Sequence, residues 1–167
     1  FDFDILFEAI SAHATRAAEK LRQNGLVAGT LTVFYHTNRH RLDRPQYASS
    51  RSMQIIPMSS DTFELVRAAR LCATAAWPKR SAGQYGFTKA GVMLDDLLPL
   101  EQRPRTLFDL SDKKPNPAIE ALDKINRRFG SKTISLGSEG VKRSWKLRSA
   151  YRSPRYTTRL SDLPVVR

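Results

Sequence analysis

The stretch TLTVFYHTNRHRLDRPQYASSRSMQIIPMSSDTFELVRAA, residues 30–69, decides the fold. Its first eight residues are mostly β-branched and aromatic, which suits a pleated, half-buried strand. Leu31, Val33 and Tyr35 fall on one face, and Thr32, Phe34 and His36 on the other. A polar, arginine-bearing connection with Pro45 fills 38–50. SSRSMQIIPM (49–58) is a second strand, which Pro57 is expected to close because proline has no N–H for a ladder. Asp61 then caps a helix, and Glu64 three residues on completes a capping box. That helix runs through SSDTFELVRAARLCATAAW (59–77), with Phe63, Val66, Ala69, Ala73 and Trp77 on its expected buried face.

Working outward, LFEAISAHATRAAEKLRQNG (6–25) is an amphipathic helix. Leu6, Ala9, Ile10, His13, Ala17 and Leu21 make its expected apolar stripe, and Asn24-Gly25 its stop. PKRSAGQYG (78–86) is a loop, and FTKAGVML (87–94) is a third strand. The order helix, strand, strand, helix, strand is an α+β, ferredoxin-like β-α-β-β-α-β unit without its first strand. It predicts an antiparallel sheet with two helices on one face and an open, polar opposite face. From Pro99 through Arg103, Pro104 and Pro115 the chain reads as a linker. Asn116 then caps a third helix with Pro117 at its first position, Ile119, Leu122, Ile125 and Phe129 as its stripe, and Gly130 as its stop. KTISL (132–136) is expected to add a short strand, giving a small, basic C-terminal α/β unit. The expected divisions are therefore 1–98, a linker at 99–115, and 116–167.

The 167 residues carry 28 Lys and Arg against 16 Asp and Glu, with a pI near 10.3. The excess is concentrated after residue 110, where 14 basic residues face five acidic ones. A surface of this charge favours polyanions, because each neutralised phosphate releases counterions. No apolar run approaches the roughly 20 residues of a membrane span, and the front has no basic-then-apolar leader. The chain starts on Phe1 and reads as a piece of a longer, cytoplasmic protein. The lone Cys72 excludes an intrachain disulfide and lies on an alanine-rich helix, where a buried packing role is expected.

No constellation argues for catalysis. Asp95-Asp96 reads as a solvated strand end, since neighbours on a strand point to opposite faces. His13 reads as a core histidine. His36 and His40 straddle a strand end and do not suit a metal. No glycine-rich phosphate loop is present. The binding signals are stronger: Thr32, His36, Ser50, Ser52, Gln54, Thr88 and Lys89 on or beside the strands, flanked by Arg39, Arg41, Arg44 and Arg51. Small polar and cationic groups on an open sheet can hold phosphates without reading bases.

EAISAHATRAAEKLR (8–22), LTVFYHT (31–37), PQYASS (45–50), PMSSDTFELVRAA (57–69), YGFTKAGVML (85–94) and LFDL (107–110) follow one another as in one known family. The chain resembles the little finger domain of UmuC-like Y-family translesion DNA polymerases. AIEALDKINRRFGSKTISLGSEG (118–140) and SPRYTTRLSDLPVVR (153–167) resemble the extra C-terminal domain of that branch. KAGVML and SPRYTTR with LPVVR are the most specific segments. The resemblance implies a non-catalytic portion that grips primer–template duplex DNA in an error-prone polymerase of DNA repair and the SOS response. It implies that Mg²⁺ belongs to a palm domain absent from this chain, which needs no cofactor of its own. It also implies a sliding-clamp peptide at Leu107 and Phe108, with Pro104 where the family places Gln and Gln102 two residues earlier. The tail, through Arg152, Arg155, Tyr156 and Arg159, is expected to lie extended on a protein surface such as a UmuD-type accessory subunit. A ferredoxin-like RNA-binding module and a small stand-alone nuclease are the alternatives. The first would stack bases on exposed sheet aromatics, for which only Phe34 is available.

Overall fold

A computed structural model describes residues 2–78, 84–104, 116–146 and 153–163. Helix α1 (Phe3–Gln23) is followed by strands β1 (Leu26–Thr37) and β2 (Ala48–Ser59), helix α2 (Thr62–Ala76), strand β3 (Phe87–Pro99) and helix α3 (Pro117–Phe129). The strands form one antiparallel sheet in the order β2-β1-β3. Both α1 and α2 pack on one of its faces, so the α+β architecture is the expected one. Between the layers lies a core of Phe7, Ile10, Leu31, Val33, Tyr35, Leu65, Ala69 and Ala73. The β1 alternation is realised: Leu31, Val33 and Tyr35 are buried while Thr32, Phe34 and His36 are half-buried on the other face.

The Asp61 and Asn116 caps act as their chemistry requires, while Asp61 N–H, which the capping box assigns to Glu64, donates to Ser59 Oγ at 3.0 Å. Asp61 Oδ1 accepts from the Phe63 and Glu64 N–H groups at 2.7 and 3.2 Å, and Asn116 Oδ1 accepts from Ala118 N–H at 3.1 Å. The last turn of α2 has no basic residue. Two tyrosines serve its carbonyls instead: Tyr35 Oη donates to Ala73 O at 3.3 Å and Tyr47 Oη to Ala76 O at 2.7 Å.

Several expectations change. The second strand is not closed by Pro57. Pairing with β1 runs to Gln54, skips to Ser59, and leaves Ile55–Met58 as a bulge opposite Gly29, where a missing N–H costs no ladder bond. The third strand continues through Asp95 and Asp96 to Pro99, so this pair is inside a strand rather than at its end. Asp96 adopts φ 53° and its carboxylate accepts from the Thr30 hydroxyl. On α2, Phe63 is 47% exposed and Leu65 is the buried residue. On α1, His13 is exposed and Ala17 half-buried, while Phe7, Ala14 and Ala18 are in the core. KTISL forms turns, with Lys132 at φ 71°. Asn126 takes the place of a neighbouring strand there, accepting from Ile134 N–H and donating to Ile134 O, each at 2.9 Å.

The C-terminal unit packs along α1. Arg22 donates to both carboxylate oxygens of Asp123 at 2.7 and 2.9 Å, to Ser60 O at 2.7 Å and to Thr62 Oγ1 at 2.8 Å. Leu136 reaches the main core, and the Trp145 and His13 rings lie 6.1 Å apart. Partial burial there, with the nearby Lys132 charge, holds His13 below its ordinary pKa. Burial likewise pushes the Cys72 thiol up, consistent with its packing role. The tail is not extended where it is described: Thr158 and Arg159 N–H return to Arg155 O, and Asp162 Oδ2 accepts from Arg155 N–H at 3.2 Å, closing a turn. No helix among the described residues is long and apolar enough to cross a membrane.

Candidate nucleic-acid interface

The sheet face away from α1 and α2 carries no covering element among the described residues. Cross-strand partners share a face, so the ladder identifies its side chains. Thr32 lies between Ser52 and Met93, Phe34 between Ser50 and Gly91, His36 between Ala48 and Lys89, and Thr30 between Gln54 and Asp95. Thr32 Oγ1 and Ser52 Oγ are hydrogen-bonded at 2.8 Å. Thr88 sits where the β1–β3 register shifts, its hydroxyl 3.5 Å from His36 O. The face therefore unites Thr32, His36, Ser50, Ser52, Gln54 and Lys89, with Thr88 at its margin. Arg51 is not among them. It pairs with Val33 and so belongs to the helix-covered face, exposed at the edge strand.

The 38–47 connection extends one end of this face. Asn38 Oδ1 accepts from His40 N–H, and Gln46 donates to Arg41 O and Arg44 O, so the loop is held by its own side chains. Arg41 is paired with Asp43 at 2.8 Å, and Arg44 reaches the same carboxylate at 3.9 Å. The Arg41 hydrogen bond holds the Asp43 carboxyl below its ordinary pKa. Arg39 has no carboxylate partner among the described residues.

The two ends of the face differ in charge, which the sequence pattern did not disclose. His36, Thr88, Lys89 and the arginine loop lie at one end. Asp95 and Asp96 lie at the other, beside exposed Ile56, Met93 and Leu97. The cationic side chains of the face are therefore gathered at the His36–Lys89 end. Phe34 is half-buried across Gly91, where an added Cβ would stand 2.5 Å from the ring. It is a packed aromatic rather than a free platform. A cavity of about 560 Å³ lies elsewhere, lined by Val27, Met58, Leu100 and Ile119. No group of three or more His, Cys, Asp or Glu among the described residues is placed to hold a metal. Leu107, Phe108 and Arg152 fall outside the described residues, whereas Arg155, Tyr156 and Arg159 are exposed in the tail.

An open antiparallel sheet backed by two helices, with one cationic end, defines an α+β domain with one exposed sheet face. Residues 1–107 match the impB/mucB/samB family C-terminal domain, and the chain belongs to that family. Residues 118–166 match a domain of unknown function, DUF4113. Protein UmuC of Salmonella typhimurium is 32% identical over 97% of this chain and 38% of its own length. Protein SamB of Salmonella typhimurium is 28% identical over 99% of this chain and 38% of SamB. Protein MucB of Escherichia coli is 32% identical over 95% of this chain and 36% of MucB. The chain thus spans a little over a third of the length of these relatives and corresponds to a UmuC-like C-terminal part. No solved structure matches it.

Proposed function

We propose that this chain is the DNA-binding and partner-binding portion of an error-prone Y-family translesion polymerase acting in bacterial DNA repair and the SOS response. The observation that carries the reading is the uncovered sheet face, with His36 and Lys89 paired across the strands beside Arg39 and the hydrogen-bonding Thr32 and Ser52. Duplex DNA lies on that end and is gripped through its phosphates. Small hydroxyls let the backbones approach, while the absence of a free aromatic platform disfavours the RNA-binding alternative. Nucleotidyl transfer and Mg²⁺ belong to the remainder of the parent protein. A sliding clamp engages Leu107 and Phe108, and a UmuD-type accessory subunit engages the tail through Arg155, Tyr156 and Arg159.

The test is a salt titration of primer–template binding by the 167-residue chain and its Lys89→Ala variant. Lys89 is exposed, so its removal leaves the fold intact. Affinity should fall similarly on unrelated sequences, and the slope of log K against log salt should fall by about one unit. An unchanged slope, or an effect confined to one sequence, refutes the phosphate role.

A further inference from the structure

The cationic C-terminal unit packs along α1, with Ile119 at the start of α3 lining one cavity with Val27, Met58 and Leu100. The outer surface of α3 is exposed. That surface has its own character. Phe129 is 67% exposed at the end of α3, with the Arg128 guanidinium carbon 5.3 Å from its ring centroid. Lys124 and Arg127 on the same helix, and Lys132, Lys142 and Lys146 in the turns that follow, are exposed and pair with no carboxylate among the described residues. Of the unit's acids, Asp123 is bound by Arg22 and Glu139 by Arg143, Asp162 accepts from Arg155 N–H, and Glu120 is exposed in the first turn of α3. The 131–135 turn, tethered by Asn126, carries Lys132 and the 43% exposed Ile134 beside the helix.

We infer that the outer surface of α3 and the following turns bind single-stranded nucleic acid, independently of the duplex grip proposed for the sheet. The two features have separate physical roles. Unpaired lysines and arginines attract the backbone. An exposed ring beside a guanidinium plane offers an unpaired base a stacking surface, which a duplex, with its bases already stacked, does not use. An acidic protein would satisfy the cations but would leave the flat ring-and-guanidinium pair without a matching partner.

Fluorescence anisotropy with a labelled oligothymidylate of about 20 nucleotides, long enough to cover one such surface, tests the inference on the 167-residue chain. A blunt duplex of the same length is measured in parallel. Phe129→Ala should lower single-strand affinity roughly 5-fold or more, the loss expected for one stacked base, and leave duplex affinity within about twofold. Lys89→Ala should do the reverse, so failure of the sheet reading and failure of this one are told apart. Phe129→Trp should restore single-strand binding, and Phe129→Leu, which keeps apolar area without a ring face, should not. The inference is overturned if the wild-type chain does not bind the oligonucleotide, if Phe129→Ala changes nothing, or if Phe129→Leu binds like wild type. In the last two cases the ring does not stack on a base, and the surface is not the single-strand site.

Discussion

Phe34 and Gly91 form a cross-strand pair in which a missing side chain gives an aromatic ring its place. An alanine at 91 has two opposed effects. Losing glycine from a strand interior is worth roughly 0.5–1 kcal/mol, while forcing a methyl into a filled space costs about 1–3 kcal/mol. The steric cost wins, so Gly91→Ala should destabilise the chain by about 1 kcal/mol, read as a lower urea midpoint. In a Phe34→Ala background the obstacle is gone and the same substitution should become stabilising. Equal effects in both backgrounds would contradict the geometry. The neighbouring residues of the open face were visible in the sequence because alternation assigns faces once a strand is recognised. The same rule excludes Arg51, which alternates with Ser50 and Ser52 and so takes the opposite face, as its pairing with Val33 shows.

Among the elements, the helix starts were the most legible, because caps are local chemistry. Asp61 accepts from two first-turn N–H groups, so Asp61→Ala should cost about 1 kcal/mol. Asp61→Asn should recover most of that in thermal melts, and an alanine variant that melts with the wild type would remove the cap from the account. Strand ends were less legible. Pro57 and the Asp95-Asp96 pair look like stops in one dimension, yet a bulge absorbs the first and a left-handed residue the second. The α1 stripe was legible in part: Leu6, Ala9, Ile10 and Leu21 are buried as expected, whereas His13 and Ala17 are not. Ser11 and Ala12 are buried as well, because α1 also packs against the C-terminal unit. KTISL has strand composition but no strand neighbour, and one asparagine side chain meets its need instead.

For the molecule as a whole, the two segments that match separate families share α1 as a common wall. Their orientation is fixed by Arg22, which joins the end of α1, the Ser60–Thr62 turn and α3. Its side chain is 19% exposed and that of Asp123 17%, so water screens the pair only partly. Arg22→Ala removes all four hydrogen bonds and leaves a largely buried carboxylate unpaired. Fully buried pairs lose about 3–5 kcal/mol on such truncation, and the residual exposure reduces the expected loss to about 2 kcal/mol. Because the pair spans the two units, that loss should appear as undocking rather than uniform weakening. In a Trp77→Phe background, Trp145 alone reports the contact with His13. In the Arg22→Ala variant its emission should then shift red at lower urea than the far-ultraviolet dichroism of the sheet and helices. Arg22→Lys should recover only part of the coincidence, since an ammonium does not reproduce the paired geometry of a guanidinium on a carboxylate. Superimposed transitions at the wild-type midpoint would mean that apolar contacts around Leu136 hold the units together without Arg22.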